Sequence, residues 1–355
     1  MSKRMPTLKI GDLEAYPPII QGGMGIRVSR SGLASAVANE GGIGIIAGVG
    51  LGKYEDWPGK EFIKVNDDAF REEIRKARKM TNGILGVNLM VVLSNYQSLT
   101  RVAVEEEVDL IISGAGLPLD LPELIKGKDI KLAPIVSSAR AFSIICKKWK
   151  RHHNKLPDAV VVEGLMAGGH IGFSYEDILN ETAPTLDKIL LEVIEVAKSF
   201  DKQIPVIAAG GIFDGKDIAR VLKLGASGVQ MGTRFVCTNE CDVHEKFKQA
   251  YLNVRKEDIV IIKSPVGMPG RVIRSKFVDE VAKGEKTPFV CKFHCLKSCD
   301  PKTAPFCIAK ALANAAEGNL DEGFVFAGSN AYKCNEIVSV KDLMSQLVKE
   351  AEENL

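Results

Sequence analysis

"IPVIAAGGIFDGKDIARVLKLGASGVQMGTRF", residues 204–235, contains two short apolar runs separated by one amphipathic segment. The runs "PVIAAGG" (205–211) and "GVQMGTRF" (228–235) combine small and branched apolar residues with glycine near their ends. That composition is typical of strands buried on both faces of a parallel sheet. The segment "GKDIARVLKLG" between them carries charges on one face and apolar residues on the other, which predicts a helix.

The same alternation of strand and helix recurs along the chain. Apolar runs rich in Val and Ile stand at 18–23, 42–48, 84–91, 110–116, 132–138, 159–164, 205–211 and 228–235. Eight such units predict an α/β fold, a (β/α)8 TIM barrel with its active site at the C-terminal ends of the strands. A doubly wound open sheet uses similar units. It is disfavoured for two reasons. The stretch "QGGMG" (21–25) lacks the G-x-G-x-x-G spacing of a dinucleotide turn. Candidate site residues also follow nearly every strand, whereas an open sheet concentrates them at one switch point.

Composition excludes several classes of protein. The chain has 355 residues, 46% hydrophobic and 26% charged, and a net charge of +2, so it has no broad electrostatic footprint for nucleic acid or an anionic membrane. No apolar run reaches the roughly 18 residues needed to span a bilayer, and the N-terminus lacks the apolar region of a signal peptide. We therefore expect a cytoplasmic protein without membrane or nucleic-acid partners, whose eight cysteines are reduced.

The ends of the last two predicted strands carry glycines suited to an anion. In TIM barrels these ends frequently hold a phosphate between backbone N–H groups. Gly210, Gly211 and Gly232 would let the backbone approach closely, and the Thr233 hydroxyl can donate a further hydrogen bond. Tight strand-to-helix turns are the alternative for each glycine alone, but the set of four favours phosphate.

Two other strand ends offer contacts for a planar ligand. Gly23 and Met24 in "QGGMG" would present a flat surface with exposed amides, although Met is more often core filler. Asn88 in "GVNLMVV" carries an amide that would be costly to bury unless its hydrogen bonds were made. Asn88 either contacts a polar ligand edge or fixes a neighbouring loop, and we favour the ligand.

The stretch "VVVEGLMAGGHIGF" (160–173) places a histidine after the sixth strand, between glycines. Glycines on both sides remove side chains that would crowd the ring and let the backbone bend. An imidazole titrates near neutrality and can exchange a proton with a substrate. His170 is therefore predicted to be catalytic, with a structural histidine as the alternative.

Taken together, "PIIQGGMG", "GVNLM", "GLMAGGHIGF", "IPVIAAGGIFDG" and "GVQMGTRFVCTNE" resemble motifs of the flavin-dependent nitronate monooxygenases, formerly called 2-nitropropane dioxygenases. They also resemble the related flavin-dependent enoyl-acyl-carrier-protein reductases. The resemblance runs from about Pro17 to Glu240 with the motifs in family order. It implies noncovalently bound FMN and a smaller, mostly helical substrate domain or insertion. The implied flavin contacts are Gly22, Gly23, Met24, Asn88, Gly169, Gly210, Gly211, Gln230, Gly232 and Thr233, with His170 as the active-site histidine.

The resemblance leaves the reaction open. Many relatives have Glu where this chain has Met166, so a carboxylate role at that position is not carried over. The favoured reaction is oxidation of alkyl nitronates or nitroalkanes by O2 to a carbonyl compound and nitrite. The alternatives are NAD(P)H-dependent reduction of an enoyl thioester on FMN, or another NAD(P)H-linked flavin reduction. Homodimer formation also stays open.

The β/α rhythm stops after about residue 253. We expect residues 1–253 to form the FMN-binding barrel, 254–330 a smaller cap, and 331–355 a helix that packs on the barrel. The segment "CKFHCLKSCDPKTAPFC" (291–307) holds Cys291, Cys295, Cys299 and Cys307, with His294 among them. Its C-x3-C-x3-C spacing differs from common zinc and ferredoxin patterns, so structural thiols are favoured over zinc or an iron–sulfur cluster. A metal-binding redox or interaction protein is the alternative of a different class.

Overall fold

The structure is a computed structural model that describes residues 4–53, 62–285, 289–291 and 295–355. Its strands are β1 (Leu8–Ile10), β2 (Leu13–Ala15), β3 (Ile19–Gln21), β4 (Gly44–Ala47), β5 (Leu85–Met90), β6 (Leu110–Gly114), β7 (Lys131–Val136), β8 (Val160–Glu163), β9 (Gly169–His170), β10 (Val206–Ala209), β11 (Gly228–Met231), β12 (Ile259–Lys263) and β13 (Pro269–Ile273). Its α-helices are α1 (Ser31–Asn39), α2 (Phe62–Met80), α3 (Tyr96–Glu105), α4 (Leu121–Leu124), α5 (Ala139–His153), α6 (Tyr175–Leu179), α7 (Leu186–Lys198), α8 (Gly215–Lys223), α9 (Thr233–Val236), α10 (Glu245–Asn253), α11 (Lys276–Ala282), α12 (Ile308–Ala316) and α13 (Val340–Glu353).

Eight parallel strands form the central sheet, in the order β3-β11-β10-β8-β7-β6-β5-β4. Its two end strands meet through a parallel bridge between Ile20 and Ile43, and the Ile43 N–H donates to the Ile19 carbonyl at 3.0 Å. The sheet therefore closes on itself. The predicted TIM barrel is confirmed, and each of the eight predicted strands overlaps one observed strand.

The side chains of the strands alternate between two apolar layers. Val161 and Ile207 belong to a buried cluster inside the barrel, whereas Val160, Val162 and Val206 belong to the layer that packs against the surrounding helices. Strands enclosed on both faces have no polar face, which explains their nearly continuous apolar sequences.

A short antiparallel hairpin, β1–β2, precedes the barrel. Leu8 and Ile10 are fully buried in the same cluster as the barrel interior. A Cβ added to Gly228, the first residue of β11, would lie 3.2 Å from Leu8 Cδ2. The hairpin therefore covers the N-terminal end of the barrel and leaves the opposite end for the site.

Local sequence signals set the ends of the helices. The Asp214 side chain accepts a hydrogen bond from the Asp217 N–H at 3.0 Å and so begins α8. Gly225 follows this helix with a φ of +105°, which favours glycine. At the end of the chain, α13 begins at a Ser339 cap and contacts α8 and α1.

The region after residue 253 contains an antiparallel hairpin, β12–β13, that the sequence did not predict. The Pro and Gly residues of "SPVGMPGRVIRSKF" (264–277) are loop formers, so the sequence of this segment predicts a loop. Pro265 and Gly267 lie in the turn of the hairpin, where the Gly267 N–H donates to the Ser264 carbonyl at 2.9 Å and φ of Gly267 is +84°, whereas Pro269 and Gly270 begin β13. β13 also pairs with β9, which joins this region to the barrel. The proposed division into domains stays a prediction.

No helix among the described residues is both long enough and apolar enough to cross a membrane.

Candidate active site

One cavity of about 270 Å³ opens at the C-terminal ends of the barrel strands. The structure brings every predicted site residue to its wall. These residues are Gly22, Gly23, Met24, Asn88, Gly169, His170, Gly210, Gly211, Gln230, Gly232 and Thr233. Residues up to 211 positions apart thus converge because parallel strands end at one rim.

The turn after β3 is held by buried side chains. Gln21 is fully buried; its Oε1 accepts from the Ile45 N–H at 3.0 Å, and its Nε2 donates to Ser29 Oγ at 2.8 Å. Ser29 Oγ in turn accepts from the Met24 N–H at 2.9 Å and donates to the Gly22 carbonyl at 3.0 Å. This network fixes the path of the backbone at the cavity wall.

Asn88 lies on the adjacent wall, directly against Gly23. A Cβ on Gly23 would lie 2.2 Å from Asn88 Cβ, so only glycine fits beside this side chain. The Asn88 amide makes no side-chain hydrogen bond within the described ranges. It is therefore available to a ligand rather than used to fix a loop.

The two positions after β10, Gly210 and Gly211, require glycine for two independent reasons. Gly210 and Gly211 have φ values of +89° and +86°, in the left-handed region that L side chains rarely adopt. A Cβ on Gly210 would lie 2.7 Å from the Gly164 carbonyl oxygen, and one on Gly211 would lie 2.8 Å from Met166 Cβ. Asn330 Nδ2 donates to the Gly211 carbonyl at 2.7 Å and orients this turn.

The end of β11 completes the same wall. A Cβ on Gly232 would lie 3.3 Å from Met24 Sδ, which brings the first and last barrel strands together. Thr233 Oγ1 accepts a hydrogen bond from the Gly328 N–H at 2.9 Å, and its own hydrogen stays available to donate. The buried Oε1 of Gln230 has no partner among the described residues, and neither has the buried Nδ2 of Asn95 on the same cavity wall.

His170 is positioned by the unpredicted hairpin. It stands opposite Gly270 in the β9–β13 pair, its Nε2 lies 2.8 Å from Ser264 Oγ, and its ring meets the edge of Phe326 with centroids 4.9 Å apart. Burial lowers the pKa of His170 to about 4. The imidazole is therefore neutral across the physiological range and is a weaker base than an exposed histidine.

Glu163 is a cavity-lining residue that our sequence reasoning missed. It ends β8, and burial raises the pKa of its carboxyl to about 7. Its side chain makes no hydrogen bond to any described residue. The sequence contains a signal for this residue, because Glu163 is a carboxylate that directly ends the valine run in "VVVEGLMAGGHIGF".

Arg271 holds the loop between these two titratable residues. Its Nη1 donates to the Leu165 and Ala167 carbonyls at 2.5 and 2.6 Å, and the residue is buried. The two neighbouring cations form ion pairs elsewhere. Arg274 Nε lies 2.8 Å from Asp279 Oδ1, and Lys276 Nζ lies 3.8 Å from Glu280 Oε1. None of the three cations lines the cavity.

The remaining wall of the cavity is largely apolar. It comprises Ile26, Val49, Leu93, Leu296, Ile308, Ala309, Leu312 and Phe326. No Lys, Arg or Asp is found among the described residues of the cavity lining, whose one acidic side chain is Glu163. The site thus offers polar groups near the strand ends and an uncharged apolar surface beyond them.

Comparison with known proteins agrees with this arrangement. The sequence model of a family described as "Nitronate monooxygenase" matches residues 7–96 and 92–350. A Staphylococcus aureus protein named "Probable nitronate monooxygenase" is 29% identical over 303 residues, which cover 76% of this chain and 78% of that protein. A Mycobacterium tuberculosis protein, named (3aS,4S,5R,7aS)-5-hydroxy-7a-methyl-1-oxo-octahydro-1H-indene-4-carboxyl-CoA dehydrogenase, is 29% identical over 286 residues, 81% of this chain and 70% of that protein.

Two solved structures share the architecture over nearly the whole chain. FabK from Thermotoga maritima has 31% identity and a TM-score of 0.75, covering 96% of this chain and 94% of FabK. Nitroalkane oxidase from Streptomyces ansochromogenes has 22% identity and a TM-score of 0.75, covering 96% and 97%. Because its sequence identity is only 22%, the similarity to nitroalkane oxidase supports the fold alone.

Proposed function

The chain belongs to the nitronate monooxygenase family of flavin-dependent oxidoreductases, and from that premise we propose that it binds FMN and oxidises neutral nitroalkanes with O2. The products are a carbonyl compound and nitrite. Alkyl nitronates, the deprotonated form of the same substrates, are the other substrates that this family assignment suggests.

The residues of the cavity fit FMN. Gly210, Gly211 and Gly232 provide backbone without side chains where a phosphate would approach, and Thr233 keeps a hydroxyl hydrogen to donate. The unpartnered Oε1 of Gln230 can accept a hydrogen bond from a flavin ring N–H. The unused amide of Asn88 offers both a donor and an acceptor. Bound FMN would supply the electron-accepting chemistry that amino-acid side chains lack.

The observation that carries the choice of substrate is the charge of the cavity. Its described lining contains no cation, and Glu163 becomes negative as the pH rises through about 7. A nitronate that lies beyond the glycine turns proposed to hold the phosphate would lose its hydration without gaining a positively charged side chain. A neutral nitroalkane does not have that cost. His170 is unprotonated at physiological pH, so its imidazole would be the general base for the α-proton.

Reduction of an enoyl thioester is the second candidate, and two observations favour it. The apolar wall formed by α12 and Phe326 extends the site in a way that would suit an acyl chain. FabK and the carboxyl-CoA dehydrogenase stand among the most similar proteins. In this reaction His170 would hydrogen-bond the thioester oxygen, and NADH or NADPH would be the electron donor.

The test compares the two reactions on the same flavin-loaded protein. Nitrite release is measured with 1-nitropropane and with propyl nitronate, and flavin absorbance is followed when NADH or NADPH is added without oxygen. Nitrite release that is faster with 1-nitropropane, with a flavin that NAD(P)H does not bleach, supports the proposal. Prompt bleaching followed by reoxidation with crotonyl thioester would replace it with the second candidate. A protein that does not take up excess FMN would refute both.

A further inference from the structure

Asn95 is a buried side chain on the cavity wall that has no role in the proposed reaction. It lies in the loop after β5, lines the cavity and is only 3% exposed. Its Nδ2 has no hydrogen-bond partner among the described residues. Burying an amide N–H without a partner costs free energy, so such a group in a cavity wall indicates a ligand that supplies the missing acceptor.

A local structural role does not account for this side chain. Asn95 is the N-cap residue of α3, a position where the side chain of an Asn usually accepts a hydrogen bond from the first turn of its helix. The Asn95 side chain makes no such bond. Only its backbone serves the helix, since the Asn95 carbonyl accepts from the Leu99 N–H at 3.0 Å. The helix that Asn95 begins therefore does not use the side-chain amide.

The backbone on both sides of Asn95 is held in place, so its amide is positioned before a ligand binds. On one side, the Ser94 N–H donates to the Cys295 carbonyl at 3.1 Å. On the other side, the Tyr96 hydroxyl lies 2.9 Å from Ser113 Oγ in β6. A donor that is already in position loses little entropy on binding, and it discriminates against ligands that lack the acceptor.

The surroundings of Asn95 define the chemistry of the missing acceptor. Leu93 forms an antiparallel bridge with Leu296, and both line the cavity together with Ile308 and Leu312 of α12. The described lining contains no Lys or Arg to accompany an anion. A carboxylate would be costly to bury in this apolar wall, whereas a ketone, ester or ether oxygen needs only one donor.

We propose that Asn95 determines substrate specificity by donating a hydrogen bond from Nδ2 to an uncharged oxygen on the carbon chain of the substrate. Asn88, the proposed flavin contact from the same part of the chain, lies within β5, whereas Asn95 follows Met90, the last residue of β5, by five positions. This position and the apolar wall favour the substrate over the flavin as the acceptor. The inference rests on the proposed function and narrows its substrates to nitroalkanes whose apolar chain carries a ketone, ester or ether oxygen.

The experiment measures kcat/KM of the flavin-loaded protein for pairs of substrates. Each pair consists of a methyl ω-nitroalkyl ketone and the 1-nitroalkane of the same carbon number, for example 5-nitropentan-2-one and 1-nitropentane, and the series varies the chain between the nitro group and the carbonyl. For at least one chain length, the ratio of ketone to nitroalkane should be about fivefold or more higher in wild type than in Asn95→Leu, the value of one hydrogen bond. Differences in the intrinsic reactivity of the two compounds cancel in this comparison, because they are the same for both proteins.

Asn253→Leu is the matched control, since Asn253 is exposed at the end of α10 and lies outside the cavity lining. It should keep the wild-type ratio. Asn95→Ala removes the same donor without the bulk of Leu and should lower the ratio as Asn95→Leu does. Neither Asn95 variant should have a lower Tm than wild type in the flavin-free protein, because the amide that is removed has no partner there. A lower Tm in both would instead give Asn95 a structural role.

Three other results would overturn the inference. Equal ratios in wild type and both Asn95 variants at every chain length would show that the amide does not bind the substrate. Weaker FMN binding by both variants, with unaltered ratios, would assign the amide to the flavin. A preference for an ω-nitrocarboxylate over the ketone would show that the acceptor is charged. Dissociation constants from calorimetry do not require turnover, so selective ketone binding that depends on Asn95, without nitrite release, would refute the proposed reaction but support this role of Asn95.

Discussion

Replacing Glu163 by Gln should stabilise the flavin-free protein, and the gain should grow with pH. Glu163 ends β8, lines the cavity and makes no side-chain hydrogen bond to a described residue. Burial raises the pKa of its carboxyl from an ordinary value of 4.5 to about 7. Gln keeps the size of the side chain and removes only the ability to ionise.

The sign follows from proton binding in the two states. Between pH 4.5 and about 7 the unfolded chain has released the Glu163 proton while the folded chain still holds it. Folding is therefore penalised progressively as pH rises through this window, and the penalty is constant above it. At about 1.36 kcal/mol per pKa unit the full penalty is ~3.4 kcal/mol, an order-of-magnitude value.

The assay is equilibrium unfolding in urea at pH 5 and at pH 8, with flavin removed so that ligand binding does not add to stability. Glu163→Gln should raise the free energy of unfolding by about 3 kcal/mol at pH 8 but by only about 1 kcal/mol at pH 5. Glu72→Gln is the matched control, since Glu72 is exposed and makes no ion pair within the described ranges. It should change stability by less than about 0.5 kcal/mol at either pH.

Equal gains for Glu163→Gln at the two pH values would refute the reasoning, because the effect would then come from packing and not from ionisation. A loss of stability at pH 8 would show that the carboxylate has a stabilising partner. The protonation of His170 does not interfere, since it contributes equally to both proteins and cancels in the difference.

Three further substitutions, one of them paired with a control substitution, test other parts of the site. His170→Ala should retain FMN and slow turnover on the order of a hundredfold or more, as expected for a lost proton-transfer group; unchanged turnover returns the residue to a structural role. Ser264→Ala should lower kcat by about five- to tenfold, the value of one hydrogen bond, with FMN affinity unchanged; an unaltered kcat would mean that the 2.8 Å contact with His170 does not position the ring. Gly211→Ala should weaken FMN binding by about tenfold or more in a fluorescence titration, because it combines positive φ with a contact 2.8 Å from Met166. Gly267→Ala has similar φ but open space around its Cβ, so it should leave FMN affinity unchanged, and an equal loss in both variants would point to general destabilisation.

The parts of this fold that depend on local pattern were predictable. The run Val160, Val161 and Val162 predicts a strand whatever these residues contact, and the periodicity of "GKDIARVLKLG" by itself predicts a helix. Once eight such units are counted, the barrel topology brings Gly23, Asn88 and Gly210 to one rim, so their convergence follows without any knowledge of side-chain contacts.

Contacts between distant segments were not predictable in the same way. Ser264 meets His170 across 94 positions, and nothing in "IIKSPVG" marks that serine, since a hydroxyl in a loop has many uses. The β12–β13 hairpin could not be distinguished from a loop, because Pro and Gly indicate a turn but do not indicate whether strands flank that turn.

Under the proposed function, Glu163 and His170 together would favour a neutral substrate over an ionised one. Burial moves their pKa values in opposite directions, up to about 7 for the carboxyl and down to about 4 for the imidazole. Between those values both groups are uncharged, and the described lining contains no Lys, Arg or Asp to restore a charge. The same desolvation opposes an ionised substrate that lies beside these two side chains, whereas a neutral carbon acid meets no such penalty. A neutral imidazole can still accept a proton and a neutral carboxyl can still donate one. Proton transfer is therefore possible although neither side chain is charged beforehand.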